Sequence, residues 1–312
     1  MKKKNRLIIV AAVMTLLCAG CSGLKSDTLQ QFKQSVQDKI QSAAGKRSAE
    51  TESSVSAGKY AYEQLTADEK QVYDEVYDAI TGYEASVTVS TVDRNELNKV
   101  YEYVRADYGG LFWVDGYTYV ESSWLGQVMS LEFSPSYTMT RTERDELQNE
   151  IDARVEQLLG GVSDEDSDYQ KARFVYDTLI NTVTYDSEAE NNQNIISVFI
   201  EGRTVCQGYA SATQYLMERI GIPCTIVTGE AGGEKHAWNL IMLDGEYYYM
   251  DTTWGDASYR DYEEGAAGTN YDYFAATTKR MEETHIPDGR IALPVCDATK
   301  DSYYVQEGYV IK

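Results

Sequence analysis

Three residues in the last third of this 312-residue chain have types and neighbours suited to one reaction: Cys206, His236 and Asp251. A thiolate attacks an amide or peptide carbonyl, an imidazole moves the proton, and a carboxylate orients the imidazole. Each lies in a distinctive local pattern, Thr204-Val205-Cys206-Gln207-Gly208-Tyr209-Ala210, Lys235-His236-Ala237-Trp238-Asn239 and Tyr249-Met250-Asp251-Thr252-Thr253-Trp254. The chemistry they suit is acyl transfer through a thioester.

The elements that must hold these groups are legible from periodicity. After Cys206, the residues Tyr209, Ala212, Thr213, Leu216, Met217 and Ile220 recur at helical spacings, and Gly221-Ile222-Pro223 supplies a stop. Cys206 therefore sits at a helix N-terminus, where unpaired N–H groups and the helix dipole favour an anion. The same N–H groups suit an oxyanion on the attacked carbonyl. Gly208, Ala210, Ser211 and Ala212 are small enough for substrate and neighbouring strands to approach closely, and Gly208 and Tyr209 are read as site support.

His236 to Leu243 is strand-like, Asp244-Gly245 is a two-residue turn signal, and Glu246 to Trp254 reads as the returning strand. With that turn Leu243 pairs with Glu246, His236 faces Thr253 and Trp238 faces Asp251. Alternation then places His236, Trp238, Asp251 and Thr253 on one sheet face. Asp251 becomes a diagonal neighbour of His236, roughly 7–8 Å away at the backbone and closer at the side chains. Trp238, opposite Asp251, is expected to shield their hydrogen bond from water. His285 is the one other histidine, and this pattern gives it no role.

Val205-Cys206-Gln207-Gly208-Tyr209-Ala210, His236-Ala237-Trp238-Asn239 and Asp251-Thr252-Thr253-Trp254 resemble the three signature motifs of the transglutaminase-like superfamily. The resemblance extends upstream to Lys171–Asp177 and Val183–Asp186, and covers roughly residues 165–260. It implies a papain-like fold with Cys206 as nucleophile, His236 as general base and acid, and Asp251 as orienting carboxylate. Transglutaminases, bacterial thiol proteases and a peptide N-glycanase share the superfamily, so the motifs leave hydrolysis and acyl transfer both open. A side-chain oxyanion donor has no match here.

At the other end, Lys2-Lys3-Lys4-Asn5-Arg6 is a basic start, Leu7 to Cys18 is an apolar run, and Ala19-Gly20-Cys21 closes it. The run is shorter than the ~20 residues of a membrane-spanning helix. The pattern resembles a bacterial lipoprotein signal, residues 1–20, cleaved before a lipid-bearing Cys21; Cys18 stands where leucine is usual. A plain secretory signal is the alternative. Lipidation implies an extracytoplasmic protein held at the cell membrane through buried acyl chains.

The formal charge of −22 argues against nucleic acid, whose phosphates would repel it. Removing Lys2, Lys3, Lys4 and Arg6 makes the remainder more acidic still. Of the five cysteines, Cys18 and Cys21 belong to the leader and Cys206 to the site. Cys224 and Cys296 remain, as thiols or as a disulfide that spacing alone cannot place. No CxxC or clustered ligand spacing appears, so neither metal nor cofactor is expected. Asp256–Glu264 lacks the ordering of a calcium loop and reads as a solvated segment.

Residues 21–60, polar after a short amphipathic stretch through Leu29, Phe32, Val36 and Ile40, read as a tether. Residues 61–161 read as a smaller α/β N-terminal region. It has helices opening at Thr66, Asp93 and Thr140, a strand through Val87 and Val89, and strands over Leu111–Val120 and Gln127–Phe133. Residues 162–312 read as the catalytic domain, with a helix over Asn270–Lys279 and late strands at Tyr303–Val305 and Tyr309–Ile311. Segregated helices and antiparallel strands make the whole α+β. The resemblance specifies a transglutaminase core whose cysteine helix packs on the antiparallel sheet carrying histidine and aspartate.

The function expected is a membrane-anchored thiol enzyme acting on protein or peptide substrates, with hydrolysis ahead of cross-linking. A protein-glutamine transglutaminase and a non-catalytic envelope-binding module are the alternatives.

Overall fold

Short polar side chains open the main helices. Thr66, Thr140 and Ser167 each accept the backbone N–H three residues on, while Glu69, Glu143 and Gln170 reach back to the cap N–H. These reciprocal bonds satisfy donors that a helix start leaves orphaned. Asp93 caps in a simpler way, accepting from Asn95 N. The computed structural model describes residues 55–256 and 268–308, all within one compact unit.

The N-terminal part comprises α1 (Tyr60–Glu63), α2 (Ala67–Thr81), β1 (Val87–Val89), α3 (Arg94–Asp107), β2 (Val114–Trp124), β3 (Gln127–Tyr137) and α4 (Arg141–Leu159). Its three strands form an antiparallel sheet in the order β1-β3-β2. The second part contains α5 (Asp168–Thr182), β4 (Thr184–Tyr185), β5 (Arg203–Thr204) and α6 (Cys206–Arg219). Then come β6 (Cys224–Ala231), β7 (Glu234–Leu243), β8 (Glu246–Met250), α7 (Thr252–Gly255), α8 (Thr278–Met281), β9 (His285–Pro287) and α9 (Tyr303–Gln306). Strands β8-β7-β6-β9 form an antiparallel sheet in that order. The result is α+β.

One buried apolar cluster runs from Ala61 through Leu97, Phe133 and Ile151 to Tyr209, Ile241 and Ala275. The N-terminal elements therefore share a core with the sheet that carries His236. Asp107, fully buried at the end of α3, stitches the parts together with hydrogen bonds. Its carboxylate accepts from Ala61 N, Tyr62 N, Tyr73 Oη and Thr225 Oγ1 at 2.9–3.1 Å. Its own carbonyl accepts from Gln214 Nε2 on α6 at 2.7 Å.

Several sequence expectations change. The predicted strand 246–254 ends at Met250, because Asp251 caps α7 by accepting from Thr253 N and Trp254 N. The predicted helix 270–279 is instead a 3-10 turn (Tyr271–Tyr273), a bridge from Ala276 to Tyr249, and α8. Asn270 and Thr277 each cap a fresh start there, interrupting a continuous helix. Tyr303–Val305 falls in the helix α9 rather than a strand. Cys224 and Cys296 are free buried thiols that belong to separate apolar clusters. The leader, the tether up to residue 54, most of the acidic run after Asp256 and Tyr309–Ile311 lie outside the described residues.

Candidate active site

Cys206 begins α6 behind Val205, an extended N-cap whose side chain makes no capping bond. The first-turn N–H groups thus face no side-chain acceptor from the cap. The thiol is half-buried, whereas Cys224 and Cys296 are enclosed. Burial pushes the Cys296 thiol up to about 11 and Cys224 higher still, so neither is a ready thiolate.

Close packing fixes the start of α6. Thr204 Oγ1 donates to Asn192 O at 3.0 Å and accepts from Ser197 Oγ at 2.7 Å. A Cβ on Gly208 would stand 1.9 Å from that same Thr204 oxygen. Gly208 therefore serves the approach of the preceding loop. Tyr209 is fully buried, and its hydroxyl donates to Val183 O at 2.8 Å, holding α6 against the end of α5. Both expected support residues act on the position of the helix.

His236 comes from β7. The hairpin register is the expected one at the turn, with Leu243 opposite Glu246, but its ladder ends at Asn239 opposite Met250. Asp251 therefore reaches His236 as a helix cap instead of a diagonal strand neighbour. His236 Nε2–H donates to Asp251 Oδ2 at 2.8 Å, with both side chains buried. The other face of the contact is Cys206, whose side chain hydrogen-bonds His236. Asp251 Oδ1 accepts from Thr253 N at 2.9 Å and Trp254 N at 3.0 Å.

Burial would lower the basicity of His236, but the charge and hydrogen bond of Asp251, with the Cys206 contact, outweigh it and push the imidazole up to about 10. For Asp251, burial would raise the carboxyl. The His236 charge and the bonds from two imidazoles prevail, holding it well below the usual carboxylate range. The trio thus favours a protonated imidazole against an ionised carboxylate, with a thiol at its edge.

Trp238 is buried and stacks on His236, with ring centroids 6.0 Å apart and planes at 21°. Its ring covers one face of the imidazole, and no residue of β8 stands opposite it. Trp254 and Tyr273 complete the enclosure; the Trp254 ring lies 6.0 Å from His236 and 5.2 Å from Tyr273.

His285 is the residue that sequence reasoning missed. Its Nε2–H donates to Asp251 Oδ2 at 3.0 Å, the oxygen that His236 uses. It arrives on β9, far along the chain from Asp251. Its one sequence signal is that the chain has only two histidines. His236, Asp251 and His285 together have the donor types of a divalent-metal site, with ligand atoms within 4.8 Å. The contacts of 2.8 and 3.0 Å from the two imidazoles to one oxygen are hydrogen bonds that already engage it.

Residues 156–252 match the family model described as the transglutaminase-like superfamily. This segment is a transglutaminase-like core. It contains α5, α6, β6, β7 and β8, and with them Cys206, His236 and Asp251. Among curated proteins, the chain is similar to kyphoscoliosis peptidase of Mus musculus, 24% identical over 40% of this chain and 22% of that protein. It is also similar to kyphoscoliosis peptidase of Homo sapiens, 21% identical over 53% of this chain and 26% of that protein. The chain thus spans about a quarter of the length of these relatives. A transglutaminase crystal structure aligns at 16% identity and TM-score 0.34, covering 47% of this chain and 46% of that one. The periplasmic domain of TgpA from Pseudomonas aeruginosa aligns at 16% identity and TM-score 0.28, covering 45% and 58%.

Proposed function

We propose that this transglutaminase-like core is a cysteine hydrolase that cleaves amide or peptide bonds. The observation that carries the reading is the contact chain from Cys206 at a helix N-terminus, through His236, to a buried Asp251. The Cys206 thiolate attacks the carbonyl carbon, and the N–H groups at the start of α6 take up the developing oxyanion charge. His236 gives its proton to the departing amine as the C–N bond breaks, leaving an acyl-thioester. Water then adds to the thioester carbonyl, its proton passes to His236, and the C–S bond breaks to restore the thiolate. Asp251 keeps the imidazole in the tautomer that both steps need.

The name peptidase borne by the curated relatives supports water over an amine as acceptor. The leader residues Lys2 to Cys21 support export and lipid anchoring at the cell membrane, placing protein or cell-wall peptide substrates within reach. Among the described residues, no helix is long and apolar enough to cross a membrane.

The test is mass spectrometry of a peptide library incubated with wild type and Cys206→Ala, with and without an added primary amine. Cys206-dependent fragments that gain water in the presence of amine support hydrolysis. Amine adducts as the main product would establish transamidation, and no Cys206-dependent product would refute the enzyme reading. For the anchor, Cys21→Ser should release a protein that otherwise needs detergent for extraction. A wild-type protein recovered without detergent would overturn lipidation.

A further inference from the structure

We propose that His285 is a positioning residue for Asp251, anchored at Nδ1 by the Thr284 hydroxyl so that its Nε2–H shares with His236 the carboxylate oxygen the reaction depends on. The proposal rests on the reading of Cys206, His236 and Asp251 as a thiol hydrolase site.

Proton accounting supports it. Asp251 is ionised, so its oxygens only accept. Both imidazoles must therefore present N–H at Nε2, at 2.8 Å from His236 and 3.0 Å from His285. Thr284 Oγ1 lies 2.8 Å from His285 Nδ1. That hydroxyl can donate to or accept from Nδ1, so the second ring nitrogen is engaged as well. Every polar atom of His285 is then satisfied inside a site where its side chain is fully enclosed.

The surroundings hold the ring in one pose. Trp254, Trp238 and Tyr273 pack around it at centroid distances of 4.7, 5.0 and 5.6 Å. Strand β9 lies tightly on β6, with His285 opposite Ala231. A Cβ on Gly229 would stand 2.2 Å from Ile286 O, so β6 has a glycine where β9 must come close. The titratable groups gathered around the two imidazoles are Asp251 from the α7 cap, Cys206 from α6, and Tyr273 from the 3-10 turn. Tyr176 from α5 reaches the Asp251 carbonyl.

Sharing has a chemical consequence. An oxygen that accepts from two imidazoles spreads its charge over both, so each bond is weaker than a sole bond would be. His285 thereby tempers the grip of Asp251 on the His236 proton. A general acid works best when it does not hold its proton far above the operating pH. His236 is already held high, and a sole carboxylate bond would hold it higher.

The experiment is nitrogen-15 NMR of the imidazoles, simple here because there are two histidines. Wild type, His285→Phe and His285→Gln are compared, since glutamine keeps a donor near the Nε2 position and phenylalanine removes it at similar volume. Wild type should show His285 carrying a proton at Nε2. The titration midpoint of His236 should rise by about one pH unit in His285→Phe and return towards wild type in His285→Gln. Cys206-dependent turnover of a reporter peptide from the library should fall about 10- to 100-fold in kcat in His285→Phe, the size of one charge-assisted hydrogen bond, with KM nearly unchanged. A His285 ring that is bare at Nε2, or an unmoved His236 midpoint in folded His285→Phe, overturns the role of His285. Iodoacetamide labelling of wild type separates that result from failure of the underlying reading. Cys206 that reacts faster than Cys224 and Cys296 leaves the hydrolase site standing; Cys206 that reacts no faster overturns site and proposal together.

Discussion

The Asn239 side-chain amide donates to the Ala210 carbonyl at 3.0 Å, fastening the strand that carries His236 to the helix that begins with Cys206. Both residues are buried. A second tie joins Thr213 of the same helix to Thr252 beside Asp251, Oγ1 to Oγ1 at 3.0 Å. Two buried polar contacts along α6 thus tie the cysteine helix to the histidine strand and to the residue after Asp251. Reactive geometry of this kind is sensitive to displacements of about 1 Å.

Asn239→Leu should separate the two effects of that contact. It leaves the Ala210 carbonyl without this donor, costing about 1–3 kcal/mol of stability. It also loosens α6 against β7, so kcat should fall about tenfold or more at a temperature where the variant is fully folded. Chemical denaturation and steady-state kinetics on the same preparation check both. Full activity in a destabilised Asn239→Leu would show that the contact serves the fold alone.

Gly208→Ala should be poorly tolerated although alanine is the better helix former. The new methyl would stand 1.9 Å from Thr204 Oγ1 and 3.1 Å from Asn192 O. Relief requires the loop before Cys206 to move, at a cost of about 1–3 kcal/mol. Gly208→Ala combined with Thr204→Ser tests the cause. Serine keeps a hydroxyl but can turn it away, so the double variant should recover part of the lost melting temperature. A single variant as stable as wild type would remove this contact from the argument.

How far the sequence could be read follows from which interactions are local. The caps at Thr66, Asp93 and Thr140 depend on residues two or three apart, and each helix starts where its cap predicts. The Asp244-Gly245 turn likewise sets the β7–β8 register, and both turn residues take the positive φ that such a turn requires. What a turn cannot fix is where a ladder stops. Asp251 had two uses, strand residue or helix cap, and the N–H groups of Thr253 and Trp254, from which it accepts, decided between them. His285 was illegible for a different reason. Its partner is 34 residues away in the chain, and no local pattern links the two. Asp107 is similar: its partners Ala61, Tyr73 and Thr225 share no sequence pattern with it.

Asp107→Asn should be destabilising for reasons a charge count does not show. The carboxylate takes four donors, two of them the N–H groups that open α1. An amide offers one acceptor oxygen and turns an NH2 towards at least one of those donors. The expected loss is about 2–4 kcal/mol in chemical denaturation. Burial raises the Asp107 carboxyl, so ionising it opposes folding. Relative to an Asp107→Asn background, wild-type stability should decline as pH rises from about 4. A difference that grows with pH over that range would contradict the assignment.

Asp251→Asn joins catalysis and stability in one residue. If the amide oxygen keeps the Thr253 and Trp254 N–H bonds, its NH2 faces the Nε2 atoms of His236 and His285. His236 must then present a bare Nε2 and carry its proton at Nδ1, the tautomer that cannot receive a proton from Cys206. A fall in kcat of about 10²–10⁴-fold is expected. The pH dependence of stability follows from the signs. The folded His236 value is raised from about 6.5 to about 10, so the folded state holds a proton that the unfolded state releases. That contribution is complete below about pH 6.5 and is lost as pH climbs towards 10. The folded Asp251 value is lowered, so its contribution is present above about pH 4 and is lost on acidification. The stability gap between wild type and Asp251→Asn should therefore be widest near pH 5–6.5 and narrow on both sides. Urea denaturation at half-unit pH intervals reads it directly. A gap that stays constant from pH 6.5 to 10 would show that His236 does not hold its proton through Asp251.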